Sequence, residues 1–164
     1  LAEAADAKRP GRVVLEVAPA QADDPTDTVR LRAVLIGPLP GEGRREIYAF
    51  TAGLRFPAQR LEYLPAALRK GTLLEADGKT SLITGGVAPD DPERLTVGAS
   101  RLGAIPGVAV SPGRHLLFSV AFRIVSPGDA PMTWEEASFI DADIKPVDGP
   151  HFVAGTLHLA AVEN

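Results

Sequence analysis

Tyr48, Phe50, Ala52, Leu54 and Phe56 stand at every second position of one segment. A helix cannot gather such a row on one side, whereas a strand does so automatically, because its successive side chains point to opposite faces. The intervening Ala49, Thr51, Gly53 and Arg55 are thereby turned outward. That outer row is small, nearly flat and almost uncharged, the profile of a surface offered to a partner. The same spacing recurs in Val29, Leu31, Ala33 and Leu35 and in Leu116, Phe118, Val120, Phe122 and Ile124, with Arg30, Arg32, Ser119 and Arg123 on the other side. Two sheets can close on these apolar rows.

Read along the chain, this periodicity predicts about nine short strands, over residues 13–17, 28–36, 46–56, 61–63, 72–75 with 81–84, 94–102, 115–125, 134–140 and 152–160. Between them stand Gly37-Pro38, Pro40-Gly41, Asp77-Gly78, Gly85-Gly86, Pro112-Gly113, Pro127-Gly128 and Asp148-Gly149, each able to supply a turn dihedral. Helix is nearly absent: only residues 65–70, opening on Pro65, suit a single turn, with proline at its first position. The fold class is all-β, a nine-stranded β-sandwich. With 164 residues the chain fills one core and is short for two. A single domain over 12–162 is expected, after an Ala-rich, charged linker at 1–11.

Composition narrows the function. A net charge of −4 and scattered arginines argue against nucleic acid, since phosphate contacts need clustered Lys and Arg. There is no cysteine, so neither disulfides nor thiolate metal sites are available. No apolar run approaches the ~20 residues of a membrane-spanning helix.

The chemical motifs are mostly incomplete. Gly98-Ala-Ser100-Arg-Leu-Gly103 has its second glycine one place too late for a nucleophile elbow and lies in a predicted strand with no helix after it. His151 and His158 are seven apart, a spacing that sends them to opposite faces of one strand, and His115 is remote from both. Three or four converging ligands, as zinc requires, are not in prospect. Asp141 and Asp143, with Asp148 beyond, could serve an oxygen cage but lack an EF-hand's loop spacing, and turn-stabilising roles suit them better. The single Trp134 reads as packing. No catalytic residue, metal ligand or cofactor is assigned, and an enzyme is not expected.

Four segments, in order, resemble the cohesin domain. Tyr48-Ala-Phe-Thr-Ala-Gly-Leu-Arg-Phe-Pro-Ala-Gln-Arg-Leu-Glu-Tyr63 is similar to the cohesin strand and the turn that follows it. Arg94-Leu-Thr-Val-Gly-Ala-Ser-Arg-Leu-Gly103 resembles the mid-chain strand, and Gly113-Arg-His-Leu-Leu-Phe-Ser-Val-Ala-Phe-Arg-Ile124 the long core strand. Phe139-Ile-Asp-Ala-Asp-Ile-Lys-Pro-Val147 with Gly155-Thr-Leu-His-Leu159 is similar to the closing segment. The likeness covers roughly residues 12 to 160.

The resemblance implies a nine-stranded jelly-roll sandwich without catalytic activity. It also implies a receptor for dockerin domains on one flat sheet face, in extracellular or cell-surface assembly, with any calcium carried by the partner and the isolated domain a monomer. Carried over together with the alternation, it places the partner-binding residues at Ala49, Thr51, Gly53, Arg55, Ser81, Thr96, Gly98 and Ser100. The sequence departs from the family at Pro57 and Ala58 in the turn, and at Ala49 and Thr51, where cellulosomal cohesins often carry Asn or Asp. The expectation is a divergent, non-cellulosomal bacterial cohesin that takes either a divergent dockerin partner with a more apolar footprint or another ligand, since an unpaired buried polar group costs about 1–3 kcal/mol. Two other readings remain at this point: a structural or adhesion spacer of a surface or secretion protein, and a carbohydrate-binding module, which needs an exposed aromatic platform.

Overall fold

A computed structural model describes residues 10–19, 21–39, 46–147 and 150–160. Most of the expected linker and the turns at Pro40-Gly41 and Asp148-Gly149 lie outside the described residues. Thirteen strands occur among the described residues: β1 (Arg12–Ala18), β2 (Thr28–Gly37), β3 (Glu46–Ile47), β4 (Ala49–Arg55), β5 (Leu61–Tyr63), β6 (Arg69–Lys70), β7 (Ser81–Val87), β8 (Arg94–Arg101), β9 (Val108–Ala109), β10 (Gly113–Ile124), β11 (Gly128–Ile140), β12 (His151–Phe152) and β13 (Gly155–Leu159). One sheet runs β12-β1-β2-β10-β5, with β6 also paired to β10, and the facing sheet runs β13-β11-β4-β8-β7. A small ribbon joins β3 to β9.

The strands exceed the expected nine for identifiable reasons. The predicted 46–56 strand divides at Tyr48, where the chain leaves the main sheet to pair with β9. Residues 152–160 likewise split between β12 and β13, which belong to different sheets. The predicted strand at 72–75 is instead a 3-10 turn, Leu73–Glu75. Leu73 and Leu74 are both buried, and neighbours in a strand cannot face one core together, whereas a helical turn allows it. The turn expected after Pro65 is present as a 3-10 turn over Pro65–Ala67. Gly85 and Gly86 do not turn the chain; they continue β7, an edge strand, where a Cβ on Gly85 would lie 2.7 Å from Leu68 Cδ2.

Between the sheets lies a core in which every apolar residue of the β4 row, Phe50, Ala52, Leu54 and Phe56, is buried. Aromatic rings bridge the layers. Phe50 stacks on Phe118 with centroids 6.1 Å apart, and Phe56 meets Phe122 at 4.9 Å. Trp134 presents its edge to Phe118 and Phe152 and donates its indole N–H to the Val153 carbonyl at 3.1 Å. The reading of Trp134 as packing therefore holds.

One core assignment is corrected. A β-bulge interrupts β10 between Leu116 and Phe118, so Leu117 turns inward with Phe118, Val120 and Phe122 while Leu116 faces out. There Leu116 packs with Val14, Val34 and Ile36 in a second apolar cluster on the outer side of the β1-β2-β10 sheet. A bulge adds one residue to one strand and shifts the alternation beyond it.

Two buried arginines tie loops to the sheets. Arg30, 2% exposed, grips both carboxylate oxygens of Asp24 at 2.7 and 2.9 Å and also donates to Ser119 Oγ and the Ala67 carbonyl. Arg101, equally covered, holds Asp77 at 2.6 and 3.2 Å and reaches the Leu74 carbonyl. Such forked, charge-assisted bonds offset the desolvation of a buried guanidinium, fully at Arg30 and, at Arg101, for the two terminal nitrogens, its Nε being left without a partner.

Candidate functional site

The outer face of the β13-β11-β4-β8-β7 sheet is set by strand register. Ala49 lies opposite Ser100 on one side and Ile140 on the other, and Ser100 lies opposite Leu82. The next row is Ser138, Thr51, Gly98 and Thr84, and the one after it Glu135, Gly53, Thr96 and Gly86. Arg55 and Arg94 close the series beside Thr133. Residues of one row point the same way because cross-strand partners share a face.

Thr51, Thr84, Thr96 and Ser138 are exposed, and Ala49, Gly98 and Ser100 half-buried. They form a shallow band of hydroxyls and small side chains. Leu82, 54% exposed, bounds it on the Ala49–Ser100 row.

At the opposite end the face is far from uncharged. Arg55 donates to Glu135 at 2.7 and 3.1 Å and to Asp91 at 3.0 and 3.2 Å. Arg94 bonds Glu136 at 2.8 Å and lies 3.6 Å from Glu135. The Arg55 guanidinium lowers the pKa of Glu135 and of Asp91 through these bonds, and its own pKa is raised first by Glu135 and then by Asp91. A bulge in β11 between Glu135 and Ser138, with Glu136 at a φ of 49°, carries Glu136 to the Arg94 side chain.

Three of the eight expected residues are not free on the outer face. Gly53 belongs to the outer phase but is buried: a Cβ there would sit 2.6 Å from Arg94 Nε and 2.9 Å from the Glu135 carbonyl oxygen. Arg94 therefore roofs it. Arg55 faces outward but is committed to the ion cluster. Ser81 lies opposite Arg101, on the reverse side of the sheet from Thr51 and Ser100. It is buried and bonds Glu75 through both its N–H and its hydroxyl, at 2.8 and 2.7 Å. Ala49, Thr51, Thr96, Gly98 and Ser100 are brought together in adjacent rows.

The residues missed are Leu82, Thr84 and Ser138 and the ion cluster of Arg94, Glu135, Glu136 and Asp91. Leu82 and Thr84 were legible from the phase of β7 once Ser81 is turned inward. Ser138 was hidden by the bulge, whose mark in the sequence is the odd step from Met132 and Trp134 to Phe139. Elsewhere, Asp141 accepts the backbone N–H groups of Asp143 and Lys145 at 2.9 and 3.0 Å, a turn-stabilising role. None of the nine aromatic residues falls in the exposed class.

The chain folds as a two-layer sandwich with a shallow outer face on its β13-β11-β4-β8-β7 sheet. The fold is that of cohesin modules. Solved structures similar to this chain include a non-cellulosomal cohesin from the hyperthermophilic archaeon Archaeoglobus fulgidus, with a TM-score of 0.62, 17% identity, and coverage of 92% of this chain and 91% of that one. The sixth cohesin of Acetivibrio cellulolyticus scaffoldin B, solved in complex with a mutant Cel5 dockerin, gives 0.62 at 16% identity, covering 91% and 98%. The second type II cohesin of the A. cellulolyticus adaptor scaffoldin ScaA gives 0.65 at 9% identity, covering 93% and 92%. No protein-family model matches the chain, and no curated protein matches its sequence.

Proposed function

We propose that this protein is a non-catalytic, protein-binding module of cohesin type, which takes a dockerin-type partner on the outer face of β11, β4, β8 and β7 in extracellular or cell-surface assembly. The observation that carries this reading is the coincidence of a cohesin fold with a contiguous band of small, hydroxyl-bearing residues, Thr51, Thr84, Thr96, Ser100 and Ser138, on one sheet face. A cohesin of this fold is held by a dockerin in a solved complex. Calcium belongs to the partner in this reading, and Asp141 is engaged with its own turn. A face of this kind contributes roughly 600–1,000 Å² to a specific complex.

The test is titration calorimetry of the domain against a panel of dockerin modules, each with calcium and with chelator. One member should bind in calcium and not in chelator. Thr51→Arg and Ser100→Arg should then weaken it at least tenfold, about 1.4 kcal/mol or more, with the thermal midpoint unchanged. Binding that ignores both substitutions would remove the face from the proposal. Absence of binding to any dockerin would leave a spacer role in its place.

A further inference from the structure

β7 ends its sheet, and the hydrogen bonds of its neighbour fix which way its own backbone groups point. The Arg101 N–H goes to the Tyr48 carbonyl, and the Glu93 carbonyl accepts the Phe56 N–H. The odd-numbered residues of β8 therefore use their backbone groups on the β4 side, and the even-numbered ones face β7. Leu82, Thr84 and Gly86 lie opposite Ser100, Gly98 and Thr96, which leaves Ser81, Ile83, Gly85 and Val87 with N–H and C=O turned away from the sheet. Ser81 is capped there, its N–H by Glu75 and its carbonyl by the Lys70 ammonium. Among the described residues, nothing meets the backbone groups of Ile83, Gly85 and Val87.

The other edges are short or polar. β5 and β12, in the opposite sheet, have three and two residues, and β13 carries His158, bonded to Asp129. β7 has seven residues with neither charge nor proline, the devices that ordinarily keep an edge from pairing.

We infer that β7 pairs antiparallel with β7 of a second copy of this chain, about a two-fold axis at Gly85, so that the two sheets become one. In that register Gly85 faces Gly85 and Ile83 faces Val87, and every open N–H meets an open C=O with none left over. The edge is complementary to itself, as a two-fold interface requires. The ends agree in charge. Lys79 and Asp90, before and after the strand, are exposed, and neither is in an ion pair among the described residues. Antiparallel pairing brings the Lys79 end of one copy to the Asp90 end of the other, whereas parallel pairing would set Lys79 beside Lys79. On the inward side, the half-buried Ile83 of each copy comes beside the half-buried Val87 of the other. A two-fold axis normal to the sheet leaves both hydroxyl bands open on one side, so the inference does not rest on the partner-binding reading of that face. A reversible dimer here takes the place of the monomer implied by the resemblance.

Sedimentation equilibrium of the chain from about 10 to 500 µM is the first test, because a pair of short edges is a small interface and its association is weak. The mass should rise with concentration from 17.2 kDa toward twice that value. Val87→Pro removes an N–H that the single chain leaves unused, and should hold the mass at 17.2 kDa throughout. The register is tested by crosslinking, since the chain has no cysteine of its own. Thr84 of one copy and Gly86 of the other form a non-hydrogen-bonded pair with Cα atoms about 4.5 Å apart, within disulfide reach, while like residues are diagonal and too distant. Thr84 is exposed and a Cβ on Gly86 meets open space. Thr84→Cys and Gly86→Cys chains oxidised as a mixture should give covalent dimer about tenfold faster than either alone. A constant mass of 17.2 kDa, a dimer that Val87→Pro leaves intact, or crosslinking no faster in the mixture would each overturn the inference.

Discussion

Gly53 shows how one missing side chain arranges a neighbourhood. Because it has no Cβ, Arg94 can lie across β4 and reach Glu135 and Glu136. Gly53→Ala pushes against Arg94 and against the Glu135 backbone, and overpacking of this kind costs about 1–3 kcal/mol. Part of that cost should vanish in the Gly53→Ala/Arg94→Ala double variant, because a flexible partner has been removed. Urea midpoints of the four species measure the coupling, and strict additivity would contradict the contact. The sequence marked Gly53 as an outward residue but not as a covered one. Alternation reports direction, whereas the length and lie of a neighbouring arginine are tertiary properties.

At the scale of elements, the bulges of β10 and β11 divide what was legible from what was not. The rows of β2, β4 and β8 could be read because nothing interrupts their alternation, and the outer positions of β4 and β8 came with them. Leu116 and Ser138 could not, because each lies next to an inserted residue that reverses the phase. Leu73 and Leu74 misled for a related reason: strand and 3-10 turn compete for short apolar runs, and burial of both side chains decided for the turn. The β11 bulge admits a direct test. Deleting Ala137 removes the extra residue and leaves Ser138 and Ile140 outward and Phe139 inward, but sets Glu136 opposite Ala52 on the core face. Forcing an unpaired carboxylate into the core costs several kcal/mol, so the denaturation midpoint should fall steeply, whereas deleting Glu136 instead, which sets Ala137 there, should lower it far less. Equal midpoints for the two deletions would mean that the bulge does not set the phase.

For the whole molecule, the loops that cross the sandwich are held by charge, and this makes stability depend on acid. Arg30 and the Gln21 amide hold the Asp24 carboxyl down at about 2, from an ordinary 3.8. Glu75 is likewise lowered to about 2 by Lys70 and Ser81. Folded-state pKa values below those of the unfolded chain mean that the unfolded state takes up protons first as the pH drops. The stabilisation from these groups is therefore complete above roughly pH 5 and fades from about pH 4 toward 2. Urea midpoints recorded across that range should be flat at the neutral end and decline at the acid end. Asp24→Asn should flatten part of the decline while costing about 3–5 kcal/mol at neutral pH, since it leaves Arg30 buried without its counter-charge. A neutral-pH midpoint equal to that of the parent chain would refute the role given to this pair.

The hydroxyl band carries a further consequence for the timing of encounters. Gly, Ala, Ser and Thr have few rotamers to lose, in contrast to the roughly 2 kcal/mol that can be forfeited when a long lysine or arginine side chain is immobilised. Arg55 and Arg94, the two long side chains beside the band, are already tethered before any partner arrives. The platform thus meets a visitor in its final shape, so the freedom lost on association falls mainly on the visitor. How long a complex on this face endures would then be tuned by the stiffness of the other molecule.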